Sequence, residues 1–356
     1  MKIIIFSATS TTFDLNNPDQ PLGGADTALL QLIEDLSTEH EVTAFIPIVA
    51  SQQGSFKGAE CLPYANMFNQ SYECDIFIHN RRLWAIPNNV KYKKAVFYSQ
   101  DTINTPCFSG IKDKTRALDV YSRIWVLSNF HKQNMQEMFD VFDDKFLILG
   151  NYADPQEKVK KKELQFIYAS TPYRGLDVLL KLWTKIIEKY PTATLHVFSS
   201  MEIYGAKELD DLHFGKMFND LRTGRFKGVI FHGTTTRKEM LEVMKTSKLL
   251  LYPNTYPETY CNVLMEARAC HTPFITSNLG SLKETGGFAG NYCIKKPRTE
   301  EYLQEFLSLL EYSLKNPLIY KVTQINCYPI RTKEDYKKDL LNEIKRLNKE
   351  INEDEQ

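Results

Sequence analysis

The stretch PNTYPETYCNVLMEARACHTPFITSNLGSLKE, Pro253 to Glu284, decides how this chain is read. It follows a short apolar run, Leu249 to Tyr252, bounded tightly enough to be a buried strand. Pro253, Asn254 and Pro257 mark a loop, and Thr259 has the residue type of a helix N-cap. From about Asn262 the spacing of Val263, Leu264, Ala267 and Cys270 predicts a helix. A second strand, Pro273 to Thr276, completes a β-loop-α-β unit. Units of this kind put a loop and a helix N-terminus at the carboxyl end of a parallel sheet, where ligands bind.

Two carboxylates frame the loop: Glu258 just before the helix and Glu266 inside it, with seven residues between. A helix N-terminus offers backbone N–H groups and a partial positive charge, which suits a phosphate. A carboxylate on each side can accept hydrogen bonds from sugar hydroxyls. Diphosphate in the middle and hydroxyls at both ends is the outline of a nucleotide-sugar. The spacing alone also fits two surface glutamates on an ordinary helix.

In order along the chain stand Pro253, the Pro257-Glu258 pair, Glu266-Ala267, Ala269-Cys270, Thr272-Pro273, a strand, Gly280 and Glu284. This series resembles the Glu-x7-Glu signature of the retaining GT-B glycosyltransferases, the family 4-like group that includes sucrose synthases and bacterial mannosyl- and glucosyltransferases. The resemblance extends over nearly the whole chain and is most specific from Phe231 to Glu284. It implies an α/β GT-B fold, in which two Rossmann-like doubly wound domains face each other across a cleft.

Composition is consistent with that expectation. A chain of 356 residues is long enough for about two domains, each with its own core. Lysine plus arginine and aspartate plus glutamate number 44 each, so the net charge is zero and no overall field favours nucleic acid. The seven cysteines are scattered, without Cys-x-x-Cys or zinc-ligand spacing, and read as apolar fillers in a reducing compartment. No run approaches ~18 apolar residues, so no transmembrane helix is expected. MKIIIFSATS reads as a first buried strand rather than a signal peptide. The expected location is cytoplasmic, with peripheral contact at a membrane left open.

Lys2 to Phe6 is that first strand; a polar loop from Ser7 to Pro21 leads to Gly23-Gly24. Ala28, Leu29, Leu32, Ile33 and Leu36 then follow at helical spacing, and a strand runs from Glu41 to Pro47. The Gly-Gly pair lets backbone approach a phosphate or sugar closely, although it lacks a dinucleotide fingerprint. The resembled family has a similar pair beside donor and acceptor, which makes Gly23 and Gly24 candidate donor-binding residues.

Further short apolar runs at Ile76 to Ile78, Ala95 to Tyr98 and Ile124 to Leu127 each end in polar residues. Repeated endings of that kind predict a parallel sheet with a polar crevice. Where the family often carries a His after the second run, this chain has Ser99 and Gln100; His79 follows the first. Residues 1–155 are expected to form the acceptor-side domain and residues 156–330 the nucleotide-sugar domain. The lysine-rich Asn151 to Leu164 reads as a solvated linker between them. The last segment, about 333–351, is an amphipathic helix, and the resemblance implies that it packs back on the first domain.

The sugar-diphosphate leaving group gathers negative charge as its bond breaks, so the site needs a fixed cation and aimed N–H groups. Arg174, in the turn Ser170-Thr171-Pro172-Tyr173-Arg174-Gly175, is the candidate cation, since a guanidinium grips phosphate in two places. The family offers a second cation at the place of Ala169; Ser170 or Thr171 hydroxyls, or Lys238, are candidates to replace it.

Asp-x-Asp, by which metal-dependent glycosyltransferases of the other main fold hold a divalent ion, is absent from the sequence. The adjacent pairs Asp143-Asp144 and Asp210-Asp211 make poor chelators. Neither metal nor cofactor is therefore expected. By resemblance, Glu266 would hold ribose hydroxyls, Glu258 a hydroxyl of the transferred sugar, and backbone N–H groups of Asn262 and Val263 the diphosphate. The region His232-Gly233-Thr234-Thr235-Thr236, followed by Arg237-Lys238-Glu239, resembles a turn that contacts the base. Cys261 and His271 stand where the family often has Gly.

The function implied is retaining transfer of a sugar from a UDP- or GDP-linked donor to a glycan, lipid-linked or protein acceptor, in glycan or glycoconjugate synthesis. The alternatives are a GT-B-shaped nucleotide-sugar epimerase, which would need Asp101 or His79 as acid/base groups, and a catalytically silent nucleotide-sugar-binding subunit.

Overall fold

The computed structural model describes residues 1–355 except 10, 11, 13, 18, 19, 84, 85, 110, 112–115 and 205–212. Asp210 and Asp211 thus lie outside the described residues. The chain divides into two compact units, Met1–Asn151 with Lys333–Gln356, and Tyr152–Thr332.

The first unit is built on eight strands: β1 Lys2–Phe6, β2 Glu41–Ile46, β3 Gly54–Phe56, β4 Ala59–Pro63, β5 Tyr72–Asn80, β6 Val90–Tyr98, β7 Arg123–Val126 and β8 Phe146–Ile148. Their order is β3-β4-β2-β1-β5-β6-β7-β8, parallel throughout except for the β3–β4 hairpin at one edge. Ile3, Ile4, Ile5 and Phe6 are all buried, as expected of a central strand covered on both faces. Helix α1, Gly24–Ser37, buries Ala28, Leu29, Leu32, Ile33 and Leu36, the residues whose spacing predicted it. Helix α2, Asn129–Met138, is capped by Ser128, whose side chain accepts from the His131 N–H.

The terminal helix, Lys333–Asp354, belongs to this unit. It buries Tyr336, Leu340, Ile344, Leu347 and Ile351. Lys333 pairs with Glu34 of α1 at 2.9 Å, and Arg123 of β7 meets Glu343 at 3.3 Å and also Glu350.

Two histidines of this unit are sealed in its core. His79 Nδ1 lies 2.6 Å from the Tyr121 hydroxyl. His131 Nδ1 accepts from the Leu127 N–H at 3.2 Å, so its proton sits on Nε2, facing Ser99 Oγ and Asp101 O at 3.1 Å each. Burial pushes both imidazoles down to about 4. A histidine depressed below its unfolded value of about 6.5 stabilises the fold fully above that value and loses the contribution as pH falls toward 4. Asp26, raised by burial, works in the opposite sense. The urea midpoint is expected to drop between about pH 7 and about pH 5, reporting a loss of unfolding free energy on the order of 2 kcal/mol per buried imidazole. An unchanged midpoint would contradict this.

The second unit carries six parallel strands: β9 Lys162–Ala169, β10 Thr194–Phe198, β11 Val229–Phe231, β12 Ser247–Tyr252, β13 Phe274–Ser277 and β14 Gly290–Cys293, in the order β11-β10-β9-β12-β13-β14. Seven α-helices accompany them among the described residues: α3 Leu176–Lys189, α4 Gly215–Arg222, α5 Arg237–Thr246, α6 Asn262–Ala269, α7 Leu282–Gly286, α8 Glu300–Lys315 and α9 Pro317–Ile325. Helix α3 packs Val178, Leu179, Leu182, Trp183 and Ile186 into the core. The Trp183 indole N–H donates to Lys227 O at 2.8 Å.

Two details correct the sequence reading. The lysine-rich linker is not solvated throughout. Strand β9 begins at Lys162, and Lys161 buries its ammonium against Lys245 O, Cys270 O and Thr272 Oγ1 at 2.6–2.8 Å. Three acceptors suit three ammonium donors, while burial pushes the lysine down to about 8. The N-cap of α6 is Cys261, not Thr259, because the chain enters the helix only after the Cys261 N–H has met Thr285 Oγ1.

Six of the seven cysteines are buried and all are free thiols. Among the described residues no helix is long and apolar enough to cross a membrane.

Candidate functional site

In the second sheet, β10 and β11 lie to one side of β9, whereas β12 to β14 lie to the other. The chain therefore leaves the carboxyl ends of β9 and β12 in opposite directions, and a polar notch opens between them. The turn 170–175 follows β9 and the loop 253–261 follows β12.

Glycines allow these segments to meet. Gly175, at φ +87°, lies so close to the loop that a Cβ there would stand 2.1 Å from Pro253 O. From the other side Gly280, at φ +56°, presses on the loop where a Cβ would stand 2.5 Å from Glu258 O. Only glycine fits either place. The Ser281 N–H donates to Glu258 O at 2.9 Å, and Thr255 Oγ1 to Tyr173 O at 3.0 Å.

Held in this way, Glu258 and Arg174 meet directly. Arg174 Nε donates to Glu258 Oε1 at 3.1 Å, and its terminal Nη1 donates to Thr171 Oγ1 at 3.1 Å. The guanidinium lies over the Tyr256 ring, 4.7 Å from its centre. Tyr252 donates its hydroxyl to the same Glu258 oxygen at 3.1 Å. Burial holds the Tyr252 phenol well above its ordinary range, so it stays a donor. The Tyr168 hydroxyl fixes Thr171 O at 2.8 Å. Both side chains of the pair are mostly shielded, 22% exposed for Arg174 and 13% for Glu258, so the ion pair is screened less than a surface one.

The second glutamate is held by Arg237, which the sequence reading placed beside the base-contacting turn and not on Glu266. Glu266 Oε1 accepts from Arg237 Nε at 2.6 Å, and Glu266 raises the arginine further. Lys238, named as the alternative cation, is exposed one position further along α5. The capping box of α5, with Thr236 and Glu239 bonded reciprocally, sets that geometry by making Arg237 the first helical residue. The box was visible in the sequence; the partner of Arg237, 29 residues away, was not.

Around this centre the remaining candidates are dispersed. Ser170 is half-buried, with its N–H on Phe198 O. Asn262 and Val263 form the first turn of α6, whose cap Cys261 supplies no side-chain bond. Gly233, at φ +64°, follows His232. The His232 ring stacks on Phe198 at 4.0 Å, with His196 Nδ1 2.9 Å from its Nε2. Glu284 lies in α7, and His271 stacks on Tyr328.

Gly23 and Gly24 lie in the first unit, where Gly23 caps α1 without side-chain assistance. Near that helix entrance Arg81, at φ +67°, pairs with Asp26 at 3.1 Å and with Asp101 at 3.0 Å. Burial would raise the Asp101 carboxyl, but Arg81 overrides it and holds it below its usual range. Together with the sealed His79, this leaves both candidates for the epimerase's acid and base engaged in structural bonds. No group of three or more metal-ligating side chains occurs among the described residues.

Residues 161–312 match the family described as Glycosyl transferases group 1. A D-inositol 3-phosphate glycosyltransferase from Rhodococcus jostii is 28% identical over 165 residues, covering 44% of this chain and 33% of that protein; the match thus spans about a third of the curated relative's length. Sucrose-phosphate synthase from Thermosynechococcus elongatus superposes with a TM-score of 0.73 at 14% identity, over 97% of this chain and 98% of that one. Anabaena HepE, solved with UDP-glucose, gives a TM-score of 0.68 at 14% identity, over 97% and 100%. At such identities the superpositions speak for the fold, which is GT-B, with two parallel-sheet domains.

Proposed function

We propose, from the match of residues 161–312 to the group 1 glycosyltransferases, that the chain moves a sugar from a UDP- or GDP-linked donor to an acceptor with retention of anomeric configuration. The observation that carries the reading is the shielded Arg174–Glu258 pair at the switch point of the second sheet. In this reading Arg174 and the first N–H groups of α6 receive the diphosphate and stabilise its charge as the glycosidic bond breaks. Glu258, oriented by Tyr252 and Arg174, accepts a hydroxyl of the transferred sugar. Glu266, restrained by Arg237, accepts the ribose hydroxyls. The leaving phosphate takes the acceptor's proton on the face from which it departs, so no protein nucleophile is required. The donor needs no metal, and the reaction takes place in the cytoplasm on a glycan, lipid-linked or protein acceptor.

A thermal-shift panel with UDP, GDP, ADP and their common sugar conjugates, with and without EDTA, tests the donor site. A ligand bound by the native state alone raises the melting temperature, by about 2.7 kcal/mol of stability at a hundredfold excess over Kd. One base should stabilise the wild type equally with and without EDTA. Glu266→Ala should lose most of that shift. If every nucleotide leaves the melting curve where it was, the chain has no donor site and the proposal fails.

A further inference from the structure

The clearest feature that the donor site does not use lies on helix α9, Pro317–Ile325, where no residue is buried. Tyr320 faces the core and donates its hydroxyl to Lys248 O at 3.0 Å, and Gln324 donates to His271 O at 3.2 Å. The opposite face carries Leu318, Val322 and Ile325, which are 75%, 49% and 61% exposed. Their spacing of four and three residues places them in one stripe, with Lys321 among them. Ile319 and Tyr328 extend the apolar surface.

Its charge is one-sided. From Leu314 to Thr332 the sequence has Lys315, Lys321 and Arg331 but no carboxylate, although the chain as a whole balances 44 bases with 44 acids. Lys248 lies over the Tyr320 ring at 4.1 Å, and exposed Lys158 is within electrostatic reach of His271 and Cys327 beside the helix end. Of these bases Lys315 is balanced by Glu311 and Lys248 by Glu163, which leaves Lys321 and Lys158 as the lysines without an ion pair among the described residues.

We infer that α9 docks the protein onto an anionic lipid surface, with Leu318, Val322 and Ile325 entering the headgroup–acyl boundary while Lys321 and Lys158 meet the headgroups. An apolar stripe rimmed by lysines, one of them able to extend its ammonium outward from within the stripe, is the chemistry such a surface selects. A protein groove of the same shape would also need to supply the missing acids. The inference is independent of the donor-site reading, because vesicle binding requires no nucleotide.

The test is co-sedimentation of the full chain with vesicles of pure phosphatidylcholine and of phosphatidylcholine mixed with phosphatidylglycerol. Binding is expected only to the anionic vesicles and should weaken as salt is raised. Leu318→Ser, Val322→Ser and Ile325→Ser combined should abolish it. Lys321→Glu with Lys158→Glu should weaken it about tenfold or more. All these side chains are exposed, so melting curves should stay close to wild type, which separates lost docking from lost folding. Absence of binding to anionic vesicles, or binding that survives the serine variant, would overturn the inference. So would self-association that the serine variant removes, since the stripe would then be a contact between copies.

Discussion

Arg174→Ala is expected to cut sugar transfer about a hundredfold or more, the cost typical of removing a preorganised group that stabilises a developing anion. The substitution removes the cation and also leaves the shielded Glu258 carboxylate with only Tyr252 among its described side-chain partners. A loss confined to binding would raise KM alone, whereas stabilisation of the departing diphosphate appears in kcat. Arg174→Lys should recover part of the rate, because it restores the charge but cannot serve Glu258, Thr171 and a phosphate as a planar fork does. Glu258→Ala should be comparably slow. The measurement is release of nucleoside diphosphate from whichever donor stabilises the protein, with proton NMR of the product reporting its anomeric configuration. A rate for Arg174→Ala within about threefold of wild type would remove Arg174 from the chemistry, and an inverted product would remove the retaining mechanism.

Gly175→Ala is expected to cost about 2–4 kcal/mol of stability, more than left-handed backbone alone explains. The added methyl would stand 2.1 Å from Pro253 O, so either the turn after β9 or the loop after β12 must retreat. Retreat would also separate Arg174 from Glu258, so the variant should lose transfer under conditions where it remains folded. Gly224→Ala is the control. Gly224 also has a positive φ, +70°, but nothing lies within 4 Å of the position a Cβ would take. It should cost only about 1 kcal/mol. Equal losses in the two variants, read from urea unfolding, would mean that the close approach at Pro253 carries no weight.

Much of this arrangement was legible in the sequence, for identifiable reasons. The apolar periods of β1, β12 and α6 report burial on both faces or on one, and burial is what periodicity measures. Glu258 and Glu266 stand out because they bracket a helix start at short range. What escaped was long-range or looked commonplace. Arg237 and Lys238 are equivalent as letters, and only the fold shows which of them reaches Glu266. Tyr252 reads as the last filler of a buried strand until its hydroxyl is found on Glu258. Lys161 sits in a run of lysines that composition assigns to solvent, yet three acceptors draw it inside. The edge strands β3 and β8 are three residues each, too short to show any period.

Arg174 and Glu258 lie 84 residues apart and come together only where β9 and β12 run side by side. Loop-closure entropy must be overcome before that contact can form, which places the pair among the late contacts of folding. In this reading neither flank completes the donor site by itself: the segment after β12 brings Glu258 and the N–H groups of α6, and the turn after β9 brings the cation Arg174. A chain severed between β11 and α5 would therefore be blind to nucleotide as separate pieces and would regain sight of it only on reassembly. That would make donor binding a direct reporter of the second unit's completion, in a dilute mixture of fragments as much as on the ribosome.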